Sequence, residues 1–263
     1  YRVIYDAIDD VKSAMAGLPE GSLGLLQSRQ DVRDMLRLNG YIDLIIPRGS
    51  NAFVQYIMNN TSIPVLGHAD GICHVYVDKD ADIAEAVRIV TDSKAQYVSV
   101  CNAAETLLVH RDIAAEALPK IAKSLNDAGV TIVGCRETCG IIAVQPASEE
   151  DWKTEYLDYK ISVKIVGSAR EAVEHINRYG SGHTDAIVTK NAQTAEYFMD
   201  AVDSANVYWN CSTRFADGYR YGFGAEVGIS TNKIHARGPV GLDGLMIYKY
   251  KLYGSGQTAG EYA

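Results

Sequence analysis

Short, continuous apolar runs alternate along this chain with segments of helical periodicity, and that alternation restricts the fold more than any other feature. The runs are residues 42–46, 63–66, 74–77, 106–109, 130–133, 186–189 and 207–209. Residues 3–15, 29–38, 49–58, 112–127, 169–178 and 192–202 read as helices. A strand that is apolar throughout, rather than at every second residue, is buried on both faces, so helices must cover both sides of a parallel sheet. The fold class is therefore α/β, of the kind that builds open nucleotide-binding sheets. Ile83, Ala86, Val87 and Val90 fall at i, i+3, i+4 and i+7, one buried stripe, with Asp78, Asp80 and Asp82 at its N-terminal end, where the helix dipole favours them. Leu118, Ile121, Ala122 and Leu125 turn inward on the next helix, which Gly129 is placed to stop. A glycine- and aromatic-rich region, 210–244, breaks the pattern. Residues 245–253 then alternate apolar and polar, and read as an exposed strand that invites pairing with another subunit.

The 263 residues suffice for one large domain or two smaller ones. The net charge of -8 comes from acidic and basic residues mixed along the chain, which argues against nucleic acid as a partner. No apolar run approaches the roughly 18 residues that span a bilayer, and residues 1–10 lack the basic-then-apolar pattern of a signal peptide. No membrane partner is expected, and the location expected is cytoplasmic. Five cysteines, at 73, 101, 135, 139 and 211, are an odd count that reads as reduced thiols. Cys135 and Cys139 have no second pair at finger spacing, so no metal is expected. The chain does not begin with Met, and 3–15 already reads as a helix in mid-fold, so a piece of a longer protein is expected.

Chemistry concentrates around Cys101, in a segment between a helix and a strand where side chains can meet a substrate. A lone loop cysteine is more often an inert thiol than a nucleophile, and its neighbours decide. The tract from Cys101 and Asn102 through Ala103, Ala104 and Glu105 to His110 is similar to the active-site motif of the γ-glutamyl phosphate reductases, a branch of the aldehyde dehydrogenase superfamily. Residues 45–50, 71–78, 149–158, 176–184, 212–218, 222–231 and 235–242 resemble further family blocks in the same order. The Gly67-His68-Ala69-Asp70-Gly71 stretch also resembles the reductase half of the bifunctional pyrroline-5-carboxylate synthases.

The resemblance implies an aldehyde dehydrogenase-like fold: residues 1–98 as the remainder of an NADP-binding domain, 99–244 as the catalytic domain, and 245–263 as a C-terminal oligomerisation tail. A homo-oligomer, dimer or tetramer, is implied with it. The implied activity is NADPH-dependent reduction of L-glutamyl 5-phosphate to L-glutamate 5-semialdehyde and phosphate, in proline biosynthesis. Cys101 would be the covalent nucleophile, with Asn102 beside it in the catalytic set and the Cys101 backbone N–H as oxyanion donor. A thiolate suits this, attacking acyl carbon well and leaving a thioester tolerably. Arg48, Gly49 and Ser50 would meet the cofactor phosphate at a helix N-terminus, unless they form only an ordinary strand-to-helix turn. Glu155 falls where relatives hold the nicotinamide ribose; otherwise it is a surface carboxylate. Ser212, Arg214, His235 and Arg237 are the candidates for the glutamate carboxylate and the phosphate, or else the arginines anchor loops. His74, His110 and His183 read as structural.

Three departures bear on these expectations. Hydrolytic relatives carry a Glu-Leu-Gly-Gly motif whose Glu activates water, whereas the matching stretch here, residues 66–71, has no Glu, which favours phosphate over water as acceptor. Tyr97 and Val98 stand where relatives usually place a proline before the nucleophile. The family is also roughly 150 residues longer on the N-terminal side, beyond the span of a usual single domain, and the oxyanion Asn of the superfamily has no counterpart here. Two other readings stay open: a catalytically inactive chain that only dimerises or binds a partner, and another acylating aldehyde dehydrogenase, such as a CoA-dependent one.

Overall fold

Seven strands form one sheet in the order β4 (Gln145–Pro146), β3 (Thr131–Gly134), β5 (Lys160–Val166), β2 (Ala104–His110), β1 (Cys73–Val77), β6 (Thr184–Val188) and β7 (Asn206–Trp209), and every pairing in it is parallel. The structure, a computed structural model, describes Asp6, Gly21, residues 24–68 and residues 70–262. The helix expected over 3–15 lies almost wholly outside the described residues. Residues up to Val65 and residues from Leu66 onward make two compact units, and each is described by itself.

In the first unit, α1 (Arg29–Met35) starts at a reciprocal cap: Asp31 N–H donates to Ser28 Oγ and Ser28 N–H donates to the Asp31 carboxylate. Ser50 caps α2 (Asn51–Asn59) by accepting from Phe53 N–H. Leu36, Ile45, Ile57, Ile63 and Val65 form the core of this unit. The strands expected at 42–46 and 63–66 reduce to a single parallel bridge between Ile45 and Val65. No third strand pairs with them among the described residues, and two lone strands make a marginal ladder.

The second unit holds the sheet. Its strands are β1 (Cys73–Val77), β2 (Ala104–His110), β3 (Thr131–Gly134), β4 (Gln145–Pro146), β5 (Lys160–Val166), β6 (Thr184–Val188) and β7 (Asn206–Trp209). The helices between them are α3 (Ile83–Ala95), α4 (Arg111–Asp127), α5 (Arg136–Ile141), α6 (Ala169–Tyr179) and α7 (Ala192–Ala201). Alternate residues of one strand feed two cores. Val75, Val77, Leu107 and Val109 pack with Ala86, Val90, Leu118 and Ile121 of α3 and α4. Tyr76, Leu108 and Ile187 pack with Val173, Ile176 and Phe198 of α6 and α7. That division explains why the strand sequences are apolar without alternation; each such side chain contributes roughly 1.5–3 kcal/mol by leaving water.

Several elements differ from expectation. β5 was not anticipated because Lys160 and Lys164 interrupt its apolar run; Lys160 is tied to Asp151 at 2.9 Å, and Lys164 lies 3.1 Å from His175. A short antiparallel pair, β8 (Gly228–Ser230) with β9 (Gly238–Val240), sits inside the glycine-rich region. Residues 246–253 form no strand; Ile247 and Leu252 are 93 % and 99 % exposed. A period-2 pattern becomes a strand only where a ladder partner exists, and none pairs there among the described residues. The compact units part at Val65 and Leu66, and β1 and β2 are neighbours in one sheet of the second unit. No helix among the described residues is long and apolar enough to cross a membrane.

Candidate active site

Cys101 occupies the segment that delivers the chain from α3 into β2, the middle strand of the seven. Gly71 precedes β1 and His183 precedes β6, and Glu155 reaches Gly71 from the approach to β5, accepting from its N–H at 2.9 Å. These residues gather at the amino ends of the parallel strands, the opposite edge from the one where open α/β sheets usually bind ligands.

The packing around the Cys101 segment is backbone on backbone. A Cβ at Gly71 would lie 2.1 Å from the Cys101 carbonyl oxygen and 2.5 Å from its Cα, so glycine is required there by proximity. The Cys73 thiol donates to the same carbonyl at 3.2 Å. Asn102 is buried; its Nδ2 donates to Ala216 O at 2.9 Å and its own carbonyl accepts from Thr213 Oγ1 at 2.7 Å. Asn102 thereby fastens the loop to the turn at Thr213–Phe215, which Ser212 caps by accepting from Arg214 N–H at 3.2 Å. Ser93, in the last turn of α3, reaches the same turn: its Oγ donates to Ser212 Oγ and accepts from Thr213 N–H, both at 3.2 Å.

Burial pushes the Cys101 thiol up to about 11, with the carboxylates of Glu155 and Glu226 adding to the effect; its own backbone N–H and the Arg214 guanidinium pull the other way. Beneath the loop, Lys94 and Glu105 form a fully buried ion pair at 2.5 Å. Burial raises the Glu105 carboxyl against the pull of Lys94, and burial lowers the Lys94 ammonium against the pull of Glu105. Leu157 N–H also donates to Glu105 at 3.3 Å, tying the segment that carries Glu155 to β2.

The structure thus brings together Cys101, Asn102, Glu155, Ser212 and Arg214. Arg214 is half-buried; its Nε donates to Gln96 at 2.9 Å, and burial, then Arg220, lowers it from the ordinary arginine value. Arg237 is held on Asp203, donating to its carbonyl at 3.0 Å and its carboxylate at 3.4 Å, in a cleft of about 350 Å³ beside Ser181 and Gly182. Lys233 pairs with the same Asp203 carboxylate. His235 is exposed next to Ala236, whose φ is 63°. In the first unit, Arg48 is exposed and Ser50 caps α2.

Sequence reasoning did not single out Gly71, Lys94, Thr213 or Cys73, and it read His183 as structural. His68 and His183 each bring a ring nitrogen within 4.8 Å of the Cys101 sulfur and of one another. Nothing in local spacing joins positions 68, 101 and 183. The stretch 66–71, which departs from the hydrolytic motif, is the one signal that pointed there. His110 does act structurally, its Nδ1 accepting from Asp112 N–H at 3.1 Å to cap α4. His74 is buried against Asp185 at 2.8 Å.

The fold that carries this site is aldehyde dehydrogenase-like. A family model described as the aldehyde dehydrogenase family matches residues 10–136, and the chain aligns with an acetylating aldehyde dehydrogenase of Geobacillus thermoglucosidasius at a TM-score of 0.65, with 17 % identity, over 98 % of this chain and 66 % of that one. Within that class, the chain is most informatively compared with γ-glutamyl phosphate reductases. It is 63 % identical to that of Acetivibrio thermocellus over 262 residues, which is 100 % of this chain and 60 % of that protein. It matches the crystal structure of the Thermotoga maritima γ-glutamyl phosphate reductase at a TM-score of 0.94 and 43 % identity, over 98 % of this chain and 63 % of that one. The chain spans about 60 % of the length of the curated relatives it matches.

Proposed function

We propose that this chain carries the catalytic part of a γ-glutamyl phosphate reductase, which reduces L-glutamyl 5-phosphate to L-glutamate 5-semialdehyde and phosphate in proline biosynthesis. The observation that carries this reading is Cys101, a partly exposed thiol on a loop fixed between Gly71 and Thr213, in a chain similar over its whole length to enzymes of that name. Cys101 Sγ attacks the acyl carbon; the bond to the phosphoryl oxygen breaks and phosphate leaves, giving a thioester. The backbone N–H of Cys101 donates to the oxygen that becomes negative in that step. A nicotinamide cofactor, NADP in this reading, would supply hydride for the thioester when bound; Cys101 would then depart as thiolate and the semialdehyde be released.

Arg48, Gly49 and Ser50 suit a cofactor phosphate, since an exposed guanidinium and the positive end of a helix dipole both favour an anion. Glu155 suits ribose hydroxyls as an acceptor, although one of its oxygens already takes the Gly71 N–H. Ser212 and Arg214, Arg237 from the cleft beside Ser181 and Gly182, and His235 are proposed for the substrate's carboxylate and phosphate. The exposed apolar side chains of 246–253 support assembly into a homo-oligomer, dimer or tetramer, through the tail at 245–263. The proposed location is the cytoplasm.

The test is NADPH formation from glutamate 5-semialdehyde, with and without inorganic phosphate. Phosphate-dependent turnover that Cys101→Ala abolishes, with the thermal melt unchanged, is the expected result. Turnover that needs coenzyme A instead, or that persists in Cys101→Ala, would overturn the reading.

A further inference from the structure

Three side chains from distant parts of the sequence converge on one point, and the reaction above uses only one of them. A ring nitrogen of His68, Cys101 Sγ and a ring nitrogen of His183 lie within 4.8 Å of one another. Both imidazoles have their Nδ1 atoms engaged elsewhere. His68 Nδ1 lies 2.8 Å from the Ile229 carbonyl oxygen, an atom that only accepts, so Nδ1 carries the proton and Nε2 the lone pair. His183 Nδ1 lies 2.8 Å from Thr184 Oγ1. The single proton of the Cys73 thiol goes to the Cys101 carbonyl at 3.2 Å rather than to His183 at 3.7 Å. Thr184 Oγ1 also takes Asn206 Nδ2 at 3.2 Å, and in the tautomer that carries its proton on Nδ1, His183 Nε2 also presents a lone pair. That Nε2 is buried, on a residue 0 % exposed, and has no hydrogen-bond partner among the described residues. Buried polar atoms are rarely left so.

We propose that Cys101 Sγ, His68 Nε2 and His183 Nε2 form a binding site for a soft divalent cation, zinc above all, whose occupancy shuts off the nucleophile. One thiolate and two imidazoles are a zinc donor set, with the fourth tetrahedral position left to water. Tetrahedral bonds of about 2.0–2.3 Å place donors about 3.5 Å apart. The trio therefore has to close by roughly 1 Å, and the half-exposed Cys101 side chain can rotate toward the two imidazoles. The carbonyl on His68 Nδ1 is the kind of outer partner that fixes the tautomer and orientation of a metal-binding histidine. On binding, the thiol loses its proton to solvent as the metal–sulfur bond forms, and nothing is oxidised or reduced. A sulfur so held is withdrawn from attack on acyl carbon until the metal dissociates. Cys135 and Cys139 take no part: Cys139 Sγ donates to the Gly134 carbonyl at 3.4 Å, and Cys135 Sγ lies 3.3 Å from Thr138 Oγ1.

Binding itself is independent of the proposed reaction; only its effect on turnover rests on that reading. Cobalt(II) is the probe, because a tetrahedral cobalt–thiolate centre has a sulfur-to-metal charge-transfer absorption that aqueous cobalt lacks. Titrated into the reduced, metal-free protein, cobalt should produce that band at one ion per chain, and zinc should abolish it. Cys101→Ser should lose the band, His68→Ala and His183→Gln should weaken binding at least tenfold, and Cys135→Ser with Cys139→Ser should change nothing. Circular dichroism checks each variant's fold; should the buried His183→Gln variant not fold, His68→Ala decides alone. A band that survives in Cys101→Ser, no band with the folded parent protein, or full affinity in His68→Ala would each overturn the proposal. In the turnover assay, zinc should inhibit the parent protein reversibly and His68→Ala at least tenfold less well.

Discussion

Replacing Gly71 with alanine tests whether Cys101, the proposed nucleophile, is set by backbone packing. The added Cβ would lie 2.1 Å from Cys101 O, 2.5 Å from its Cα and 2.7 Å from its carbonyl carbon. Comfortable carbon contacts begin at about 3.5 Å, so one of the two segments must retreat by about 1 Å. No side chain can rotate away, because every atom involved is backbone. Gly71 is held by Glu155 and the adjacent Ile72 by Ser181 Oγ, both at 2.9 Å, whereas the other side is fastened by Asn102 to Thr213 and Ala216. Overpacking of this kind costs about 1–3 kcal/mol, and a misplacement of about 1 Å at a reacting group costs on the order of 100-fold in rate. The expected outcome for Gly71→Ala is a folded protein with a lowered melting temperature, about 100-fold less turnover, and altered iodoacetamide reactivity at Cys101. Gly140→Ala is the control: nothing lies within 4 Å of its added Cβ, so it should be neutral or slightly stabilising. If Gly71→Ala keeps turnover, alkylation rate and melting temperature within twofold or within error of the parent, the packing argument is wrong.

Other perturbations follow from the same surroundings. Lys94→Met leaves the Glu105 carboxylate buried without its partner and should destabilise by about 3–5 kcal/mol in urea unfolding, while Lys94→Met with Glu105→Leu should recover most of that; an equally unstable double variant would refute the pairing argument. Because burial, then Glu155 and Glu226, raises the Cys101 thiol to about 11, its thiolate fraction grows with pH through the neutral and mildly alkaline range. Alkylation should accelerate about tenfold per pH unit below that value, and Glu155→Gln, which removes a repelling charge, should react faster at a fixed pH; a parent profile that levels off below pH 9 would count against the burial account. Deleting residues 246–263 should leave the catalytic unit folded and yield a smaller species in sedimentation; an unchanged mass would end the assignment of assembly to the tail.

The sheet was legible because its strands obey one rule: a run apolar on both sides lies between helix layers, and residues 74–77, 106–109 and 186–189 do. β5 escaped because its two lysines find partners in Asp151 and His175, which are tertiary facts invisible in a window of seven residues. The strand expected at 245–253 failed for the complementary reason, pattern without a partner. In the site, Cys101 and its loop could be read from a contiguous motif, as could the turn at Ser212. The arrangement around them could not, since Gly71, His68 and His183 meet Cys101 only through the register of parallel strands. Of the anion-binding candidates, Arg214 lies by the thiol, and Arg237 is engaged with Asp203 in the neighbouring cleft. Residue type alone could not separate those two roles.

The parallel order of the sheet also has a consequence during synthesis. β1 leaves the ribosome before the other six strands of the sheet, yet one of its two neighbours is β6: His74 N–H donates to the side chain of Asp185, 111 residues later. At translation speeds of about 5–20 residues per second, that neighbour arrives on the order of ten seconds after β1. Through that interval a strand destined for full burial waits with one edge open. The nascent chain should therefore be a chaperone client until β6 emerges, and the His183 arm of the site exists only after the last central strand has been made.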